Sequence, residues 1–399
     1  MKPTIDAISL KLEEDPSDHP RHLTIQSNHL IAIGGENGNI SALPLLSHDD
    51  ATSTTDAKTP KIIKRYDDPV KALAFSSNGQ RVAVGYEDGS VDIYVYSQDE
   101  IDEAEKNGSH PFISKSKRSN DEDNLVDDDD DDDQFFTQSE DTDNNENPTF
   151  RLKFRFENSI RHLQFRPLSS GKQNDEKYYL AIAAESSPGF MIVDVTSEDS
   201  FVKYLEDEAS SAYDQGGVRS VAFSPDGNMV MSLGMDGRVC FWSTKGEDPS
   251  MDWELINDGM KVVSKVDAGG FADVGDKSLY PVWSSCGNLI GFPGSNELKF
   301  RKRENSDEGM DWLKKNRMIL NFAEKSSEGS DSSIVGLAFD PSNDGYAITS
   351  TRDGNIGLWR FDNYRQVRIA IVYFKFFLFQ DVLFSHDYFF NFSPNIAGR

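Results

Sequence analysis

The stretch "SVAFSPDGNMVMSLGMDGRVCFW", from Ser220 to Trp242, contains three short apolar runs separated by two turn-forming segments. Its second turn carries Asp236 and Gly237. An Asp-Gly pair between alternating runs is a strong β-hairpin signal, because a type I′ turn needs positive φ at both central residues. Three strands alone are a marginal structure that cannot cover two apolar faces. The stretch therefore predicts one unit of a larger assembly of sheets.

Two other stretches repeat this pattern: "ALAFSSNGQRVAVGYEDGSVDIY" (Ala72 to Tyr94) and "GLAFDPSNDGYAITSTRDGNIGLW" (Gly336 to Trp359). In each copy, a first run ends on Phe, a turn and a second run follow, and an Asp-Gly pair precedes a third run that ends on an aromatic residue. The paired turn residues of the three copies are Asp88 and Gly89, Asp236 and Gly237, and Asp353 and Gly354. Because the runs and turns follow one another in the same order in all three stretches, the pattern indicates a repeat protein.

Three weaker copies fill the gaps: Leu23 to Leu45, where Asn37 and Gly38 replace Asp-Gly, Ile160 to Val195, and Pro281 to Glu304. Six recognisable units of this kind predict an all-β β-propeller over residues 21–363, in which neighbouring four-stranded blades cover one another. The repeat set resembles WD-repeat propellers, and that resemblance rests on the strand and turn pattern. A two-sheet sandwich is the alternative, and the recurring Asp-Gly and terminal aromatic residue favour blades. We expect Trp242 and Trp359 to pack between blades.

The propeller is expected to be interrupted by an acidic segment at residues 97–149, which contains 19 Asp or Glu against 4 Lys or Arg. Self-repulsion and few apolar residues predict a disordered loop. Its longest uniform run comprises Asp127, Asp128, Asp129, Asp130, Asp131, Asp132 and Asp133. Two interpretations of this run stay open: a solvating segment, or a binding segment for basic proteins such as histones.

The whole chain has a formal net charge of -27, so bulk contact with nucleic acid is unfavourable and any such contact is expected to be weak or indirect. The compact basic stretch Lys299 to Glu304 is expected at a strand end on the rim. The two cysteines, Cys240 and Cys286, suit a reducing compartment. No apolar run is long enough to cross a membrane, and no secretory signal pattern begins the chain.

No catalytic constellation is apparent. None of the seven histidines has metal-ligand spacing with another His or Cys, and no nucleophile elbow, Walker loop or zinc-protease motif occurs. Asp88, Asp236 and Asp353 fall in different units, so we expect them to stabilise separate turns and not to form one catalytic set. The sequence thus predicts neither an enzyme nor a site for a cofactor or metal.

Residues 1–20 are assigned to an N-terminal segment and residues 364–399 to a tail crowded with Phe and Tyr. Two interpretations of the tail stand: a closing strand with an anchor, or a gene-model artefact in which non-coding sequence is translated. Exposed Phe clusters favour aggregation, which supports the second interpretation.

One stretch carries a more specific resemblance. "WSSCGNLIGFPGSNELKFRKRE" follows "DWELINDGMKVVSK" and resembles the later N-terminal blades of the WD-repeat replisome adaptor family, which includes the WD repeat and HMG-box DNA-binding protein, also called acidic nucleoplasmic DNA-binding protein, and the fungal chromosome transmission fidelity and minichromosome loss proteins. The family's G-x-L-L-A-x-P…V-K-x-Y-x-R-E element is matched by Gly287, Leu289, Ile290, Pro293, Leu298, Lys299, Arg303 and Glu304.

The resemblance covers the N-terminal propeller alone and implies a seven-bladed fold, of which six blades are recognisable here. It implies a non-enzymatic scaffold on chromatin in DNA replication, located in the nucleus, whose loops and rim bind replication-fork or chromatin factors. The family's second propeller, helical bundle and HMG box have no matching residues. The alternative is a generic WD-repeat module, such as a histone-binding adaptor or a ubiquitin-ligase substrate receptor, that uses the acidic loop for basic partners.

Overall fold

The computed structural model describes residues 20–26, 30–35, 38–44, 61–65, 68–106, 110–114, 149–153, 155–168, 177–197, 200–205, 217–234, 238–245, 252–261, 281–293, 297–302, 317–321, 334–339, 346–351, 355–362 and 365–373. Within these ranges the fold consists of six antiparallel sheets of four strands each, together with two short helices. We number the sheets I to VI in chain order. The all-β class that the sequence predicts is confirmed.

The first three sheets contain the following elements. Sheet I comprises β1 (Pro20–Gln26), β2 (Leu30–Gly35), β3 (Asn39–Pro44) and β4 (Lys61–Arg65). Sheet II comprises β5 (Val70–Phe75), β6 (Arg81–Tyr86), β7 (Val91–Val95) and β8 (Phe150–Arg151). The helices α1 (Gln98–Glu105) and α2 (Pro111–Ser114) lie between β7 and β8. Sheet III comprises β9 (Ile160–Phe165), β10 (Tyr179–Ala184), β11 (Phe190–Asp194) and β12 (Ser200–Leu205).

The last three sheets repeat the arrangement. Sheet IV comprises β13 (Val218–Phe223), β14 (Met229–Gly234), β15 (Arg238–Ser243) and β16 (Glu254–Lys261). Sheet V comprises β17 (Val282–Trp283), β18 (Leu289–Pro293), β19 (Glu297–Lys302) and β20 (Arg317–Asn321). Sheet VI comprises β21 (Ile334–Phe339), β22 (Tyr346–Thr351), β23 (Asn355–Asp362) and β24 (Arg365–Tyr373).

In every sheet the strands lie side by side in chain order. The first strands of successive sheets contact one another, β1 with β5, β5 with β9, β9 with β13, β13 with β17 and β17 with β21. The sheets are therefore joined along their first strands, as the blades of a propeller are around its axis.

The alternating strand directions define two ends of the molecule. At one end, the second strand of each sheet turns into the third, as at residues 87–90 of sheet II. We call this the hairpin end. At the opposite end, the first strand turns into the second and the third is linked to the fourth, so the acidic segment leaves sheet II there. We call this the insertion end.

Apolar side chains from facing sheets form separate clusters. Ile40 of sheet I packs with Val84 and Tyr94 of sheet II, and the opposite face of sheet II packs on sheet III. Sheets III and IV, and sheets IV and V, share further clusters. Trp242 is 2% exposed, and its ring lies 5.0 Å from the ring of Phe190 in sheet III, edge to face. Burial of both sheet faces by neighbouring sheets supplies the hydrophobic stabilisation that a single sheet lacks.

The limits of the sheets differ from those expected. We expected the propeller to end at residue 363, but β24 (Arg365–Tyr373) pairs along β23 as the fourth strand of sheet VI. Both interpretations of residues 364–399 stay predictions. The remainder of the tail, and residues 1–19, lie outside the described residues.

Candidate interaction surface

The turn between β6 and β7 is stabilised by its own aspartate. Asp88 Oδ1 accepts hydrogen bonds from the Ser90 backbone N–H at 2.8 Å and from the Ser90 hydroxyl at 2.6 Å. Partial burial favours a higher pKa for the Asp88 carboxyl, but the Ser90 hydrogen bonds and the neighbouring Arg155 outweigh it and lower the pKa below its ordinary value. The carboxylate is thus ionised and engaged within the turn.

Gly89 in the same turn meets two independent constraints. Its φ is +84°, which disfavours any residue with a Cβ. A Cβ at this position would also lie 2.2 Å from the carbonyl oxygen of Phe156, whose N–H donates to the Gly89 carbonyl at 3.0 Å. The turn therefore serves as a docking point for the chain that connects sheet II to sheet III.

The hairpin turns of the other sheets can be compared through the strand residues on either side of them. Gly38 has a φ of +75°, in the left-handed region. The pairs that flank the equivalent turns are Gly34 with Ile40, Gly85 with Val91, Leu233 with Val239 and Ser350 with Ile356. Each pair is the same number of residues apart, so the four hairpins share one register. Asn37, Asp236, Gly237, Asp353 and Gly354 themselves lie outside the described residues.

The described part of the chain contains no group of three or more His, Cys, Asp or Glu side chains that could hold a metal ion. No helix in it is long and apolar enough to span a membrane. His162 on β9 has a structural hydrogen bond: its Nδ1 accepts from the Val221 N–H at 3.2 Å, and Gln164 on the same strand accepts from the Phe223 N–H at 2.7 Å. These side chains satisfy backbone donors of the adjoining first strand, β13.

The start of the acidic segment is folded, which differs from the disorder expected over residues 97–149. Ser97 caps α1: its hydroxyl accepts from the Glu100 N–H at 3.3 Å, and the Glu100 carboxylate accepts from the Ser97 N–H at 2.7 Å. Such a reciprocal capping box satisfies two backbone donors that the helix leaves unpaired. Ile101 of α1 is 1% exposed and packs in the cluster between sheets I and II.

His110 and Phe112 anchor the segment more deeply. The Nε2 of His110 lies 3.0 Å from the Gly79 carbonyl oxygen, and its Nδ1 accepts from the Phe112 N–H at 3.2 Å. Phe112 is fully buried, with its ring edge-to-face against Tyr94 at 5.1 Å. Burial lowers the pKa of His110 from 6.5 to about 4, although the hydrogen bond to Gly79 acts in the opposite direction. This imidazole is neutral at pH 7, with its proton on Nε2.

The far side of the segment is anchored by an ion pair. Arg151 on β8 donates from Nε to Asp92 Oδ1 at 2.6 Å and from a terminal nitrogen to Oδ2 at 3.0 Å. Asp92 is 1% exposed and also accepts from the Tyr86 hydroxyl at 3.0 Å. The hydrogen bond with Asp92 raises the pKa of Arg151 further above its ordinary value. The acidic segment thus leaves and re-enters sheet II through ordered contacts.

The central part of the segment, residues 115–148, lies outside the described residues, as do Asp127 to Asp133. Within Lys299 to Glu304, Phe300 is fully buried, and the charged side chains lie outside the described part. The backbone of β19 includes Lys299, Arg301 and Lys302 and runs towards the insertion end. The structure therefore fixes the attachment points of the acidic run at that end.

Two arginines that the repeat pattern does not identify connect neighbouring sheets at the insertion end. Arg81 donates to the Thr196 carbonyl of sheet III at 2.9 Å. Arg166 donates from Nε to the Gly227 carbonyl at 2.9 Å and from a terminal nitrogen to the Thr244 carbonyl at 3.0 Å, both in sheet IV. Only the long guanidinium fork reaches two carbonyls at once. These residues are sheet-to-sheet ties, and their role is structural.

Comparison with known proteins agrees with this geometry. The family model described as "WD domain, G-beta repeat" matches residues 58–94 and 210–243. These ranges contain the stretches that begin at Ala72 and Ser220. No curated protein matches the chain by sequence.

Several solved structures share the fold at low sequence identity. The Cps50 (Swd1) β-propeller domain of Myceliophteria thermophila has a TM-score of 0.52 and 11% identity, covering 89% of this chain and 86% of that one. The RRP9 WD40 repeats give 0.54 and 11%, covering 94% and 87%. U3-55K gives 0.54 and 10%, covering 94% and 88%. Two stretches of the chain are therefore similar to WD domain, G-beta repeats, and the chain has the β-propeller fold.

Proposed function

We propose that this chain is a non-enzymatic scaffold on chromatin in DNA replication, located in the nucleus, which binds protein partners through its propeller loops and rim. The observation that carries the scaffold role is the attachment of a long charged segment at both of its ends to one blade. His110 and Phe112 hold one side, and Arg151 and Asp92 hold the other. These contacts fix where the segment is joined to the surface, and a partner bound to it would be held at raised local concentration there.

The replication part of the proposal rests on the stretch that resembles the replisome adaptor family. In the structure, its Gly287 has a φ of +71°, and Leu289 and Ile290 are buried at 2% and 0% exposure. These residues form the turn and core of sheet V. Their role in shaping the blade supports the resemblance to the replisome adaptor family. We assign partner contacts to the exposed loops and not to these residues.

Chromatin fractionation through the cell cycle tests this proposal. A tagged full-length chain is expected in the nucleus and enriched on chromatin during S phase, together with replication-fork proteins. Uniform cytoplasmic distribution with no such partners would contradict the replication role while leaving the fold untouched.

A second candidate is a generic adaptor that captures basic proteins, such as histones, with the acidic segment. The favouring observation is that the segment is anchored next to ordered structure and contains the highest density of carboxylates in the sequence. Electrostatic capture of this kind is fast and is weakened by salt.

The two candidates are separated by replacing residues 115–148 with a Gly-Ser linker, which retains both anchors. If histone and oligolysine binding disappear while chromatin association in S phase persists, the propeller carries the replication role. If both disappear, the acidic segment is the primary element. Replacement of Asp127 to Asp133 by Asn is the matched control for chain length, and it should reproduce the loss of oligolysine binding.

A further inference from the structure

The described beginning of the acidic segment forms a small unit that packs on sheet II. It comprises residues 97–106, which include α1, and residues 110–112, and we call it the strap. An isolated helix of eight residues is unstable in water, so α1 depends on burial of its apolar side chains. Those side chains are Ile101 and Ala104, at 1% and 7% exposure. The helix of the strap is therefore formed only while the strap is docked.

Aromatic side chains on β5 and at the end of β7 receive the other part of the strap. The ring of Phe112 lies edge to face against Phe75, 6.1 Å away, in addition to its contact with Tyr94. The ring of His110 lies edge to face against Phe75 at 5.4 Å and against Tyr96 at 5.5 Å. The pairing of β5, β6 and β7 uses none of the strap residues. The strap can therefore leave this surface while these strands stay paired, which is the condition for local opening.

A polar contact between α1 and the blade is exposed to solvent. The side-chain amide of Gln80 donates to the side-chain oxygen of Gln98 at 3.1 Å, and Gln98 in turn donates to Asp102 at 2.7 Å within α1. Water competes for exposed hydrogen bonds of this kind, so their net contribution to docking is small. Docking of the strap thus depends chiefly on the burial of Ile101 and Phe112.

The charge of the strap acts against docking. Asp99, Asp102 and Glu103 are exposed on α1, and Asp99 stands three and four residues before the other two, at spacings where like charges destabilise a helix. The last turn of α1 contains no basic residue that would favour the helix dipole. The strap also belongs to residues 97–149, where 19 acidic residues face 4 basic ones. Self-repulsion therefore favours the open strap, and screening of the charges favours docking.

We propose that the strap opens and closes while the blades stay folded, and that a cationic partner bound to the acidic segment closes it. This inference rests on the second candidate function, capture of basic proteins, and gives that capture a structural consequence. Without a partner, repulsion among carboxylates favours release of Ile101 and Phe112 from sheet II. A bound polycation neutralises the repulsion, so the strap docks. Because such coupling is reciprocal, docking must strengthen polycation binding by the same factor.

Hydrogen exchange in the full-length chain, followed by mass spectrometry, tests whether the strap opens separately. Residues 110–112 should exchange at least about tenfold faster than β6, because only β6 requires the blade to unfold. Ile101→Ala should speed exchange in the strap about tenfold or more and leave β6 unchanged. Ile182→Ala is the matched control, since Ile182 is a fully buried isoleucine of sheet III, and it should speed exchange in β6 only. If Ile182→Ala does not fold, Ile182→Val should act in the same direction.

The effect of charge is measured in the same experiment. Raising the salt concentration from about 50 mM to about 500 mM should slow exchange in the strap about two- to fivefold relative to β6. Oligolysine at the lower salt concentration should have the same effect. Phe112→Ala, which removes a docked ring, should weaken oligolysine binding in fluorescence anisotropy by a factor similar to that slowing.

Equal exchange in the strap and β6, or an equal response of both to Ile182→Ala, would overturn the separate opening. Oligolysine that binds without slowing exchange in the strap, or that speeds it, would overturn closure by a cationic partner. Failure of oligolysine to bind at all would contradict the second candidate function itself, whereas the exchange difference between the strap and β6 tests the strap alone. None of these outcomes alters the chromatin result that tests the replication role.

Discussion

Arg151 and Asp92 form a bidentate pair, with Nε 2.6 Å from Oδ1, across the point where the acidic segment rejoins sheet II. The carboxylate is buried and the guanidinium is largely exposed, at 2% and 57% of their side-chain areas. The pair therefore joins the third strand of the blade to a fourth strand of two residues, and it holds the outer edge of that blade in place.

Arg151→Met removes the partner of a buried carboxylate. Loss of such a partner is costly because the charge stays desolvated, although solvent around the exposed guanidinium reduces the effect. We expect the free energy of unfolding, measured by urea denaturation, to fall by about 1–2 kcal/mol. Arg155→Met is the control, since its pair with Asp88 is exposed and should contribute less than about 1 kcal/mol. Equal effects of the two substitutions would show that burial of Asp92 does not matter.

Protonation of His110 should release the start of the acidic segment. Its pKa is about 4 in the fold and 6.5 ordinarily, so the unfolded segment binds more protons between these values. The stabilisation is therefore complete above pH 6.5 and is lost as the pH falls towards 4, by about 3 kcal/mol in total. The rate of amide hydrogen exchange at Phe112, whose N–H donates to His110, reports this loss of stability as the pH falls. His110→Gln should lack this pH dependence, and an unchanged slope would exclude His110 as its source.

Gly89→Ala should destabilise the blade strongly. The alanine would adopt a left-handed φ and place its Cβ against the backbone of Phe156, which cannot move aside as a side chain can. We expect a loss of about 2 kcal/mol or more in thermal or urea unfolding. Ser186→Gly is the reverse control, because Ser186 is exposed at a φ of +56° and the change should stay within about 1 kcal/mol. A Gly89→Ala variant as stable as the parent would contradict the close docking of Phe156 on this turn.

Arg166→Lys retains the charge but loses the fork that reaches both Gly227 and Thr244. A lysine reaches one of the two carbonyls at most, but the Gly227 carbonyl keeps the Thr244 hydroxyl as a donor at 2.6 Å. We therefore expect destabilisation of about 1 kcal/mol in urea denaturation. Arg155→Lys, at the exposed pair, should stay within about 0.5 kcal/mol. If the lysine variant matches the parent protein, the tie between sheets III and IV is not made by the guanidinium.

Much of the fold was predictable because it depends on local signals. The alternation in each strand and the Asp-Gly turns appear in a short window of sequence, and Trp242 at the end of its strand indicates burial between sheets. The ties made by Arg81 and Arg166 depend on which carbonyl lies opposite in the next sheet, and no local pattern encodes that distance.

The folded start of the acidic segment was missed for another reason. Composition over residues 97–149 averages Ile101, His110 and Phe112 with the aspartates that follow, and the few apolar residues that anchor a segment disappear in the average. The capping box Ser97 to Glu100 was the available signal, since Ser followed three residues later by Glu marks a helix start.

Each sheet is made from four strands that are consecutive in the chain, and sheet II alone has a long segment between its third and fourth strands. During translation, most blades can therefore gain their outer strand as soon as it leaves the ribosome. Sheet II must wait for residues 96–149, a delay of several seconds at ordinary elongation rates. Over that interval the outer edge of β7 has no partner strand, so this blade is exposed to pairing with other chains for longer than its neighbours.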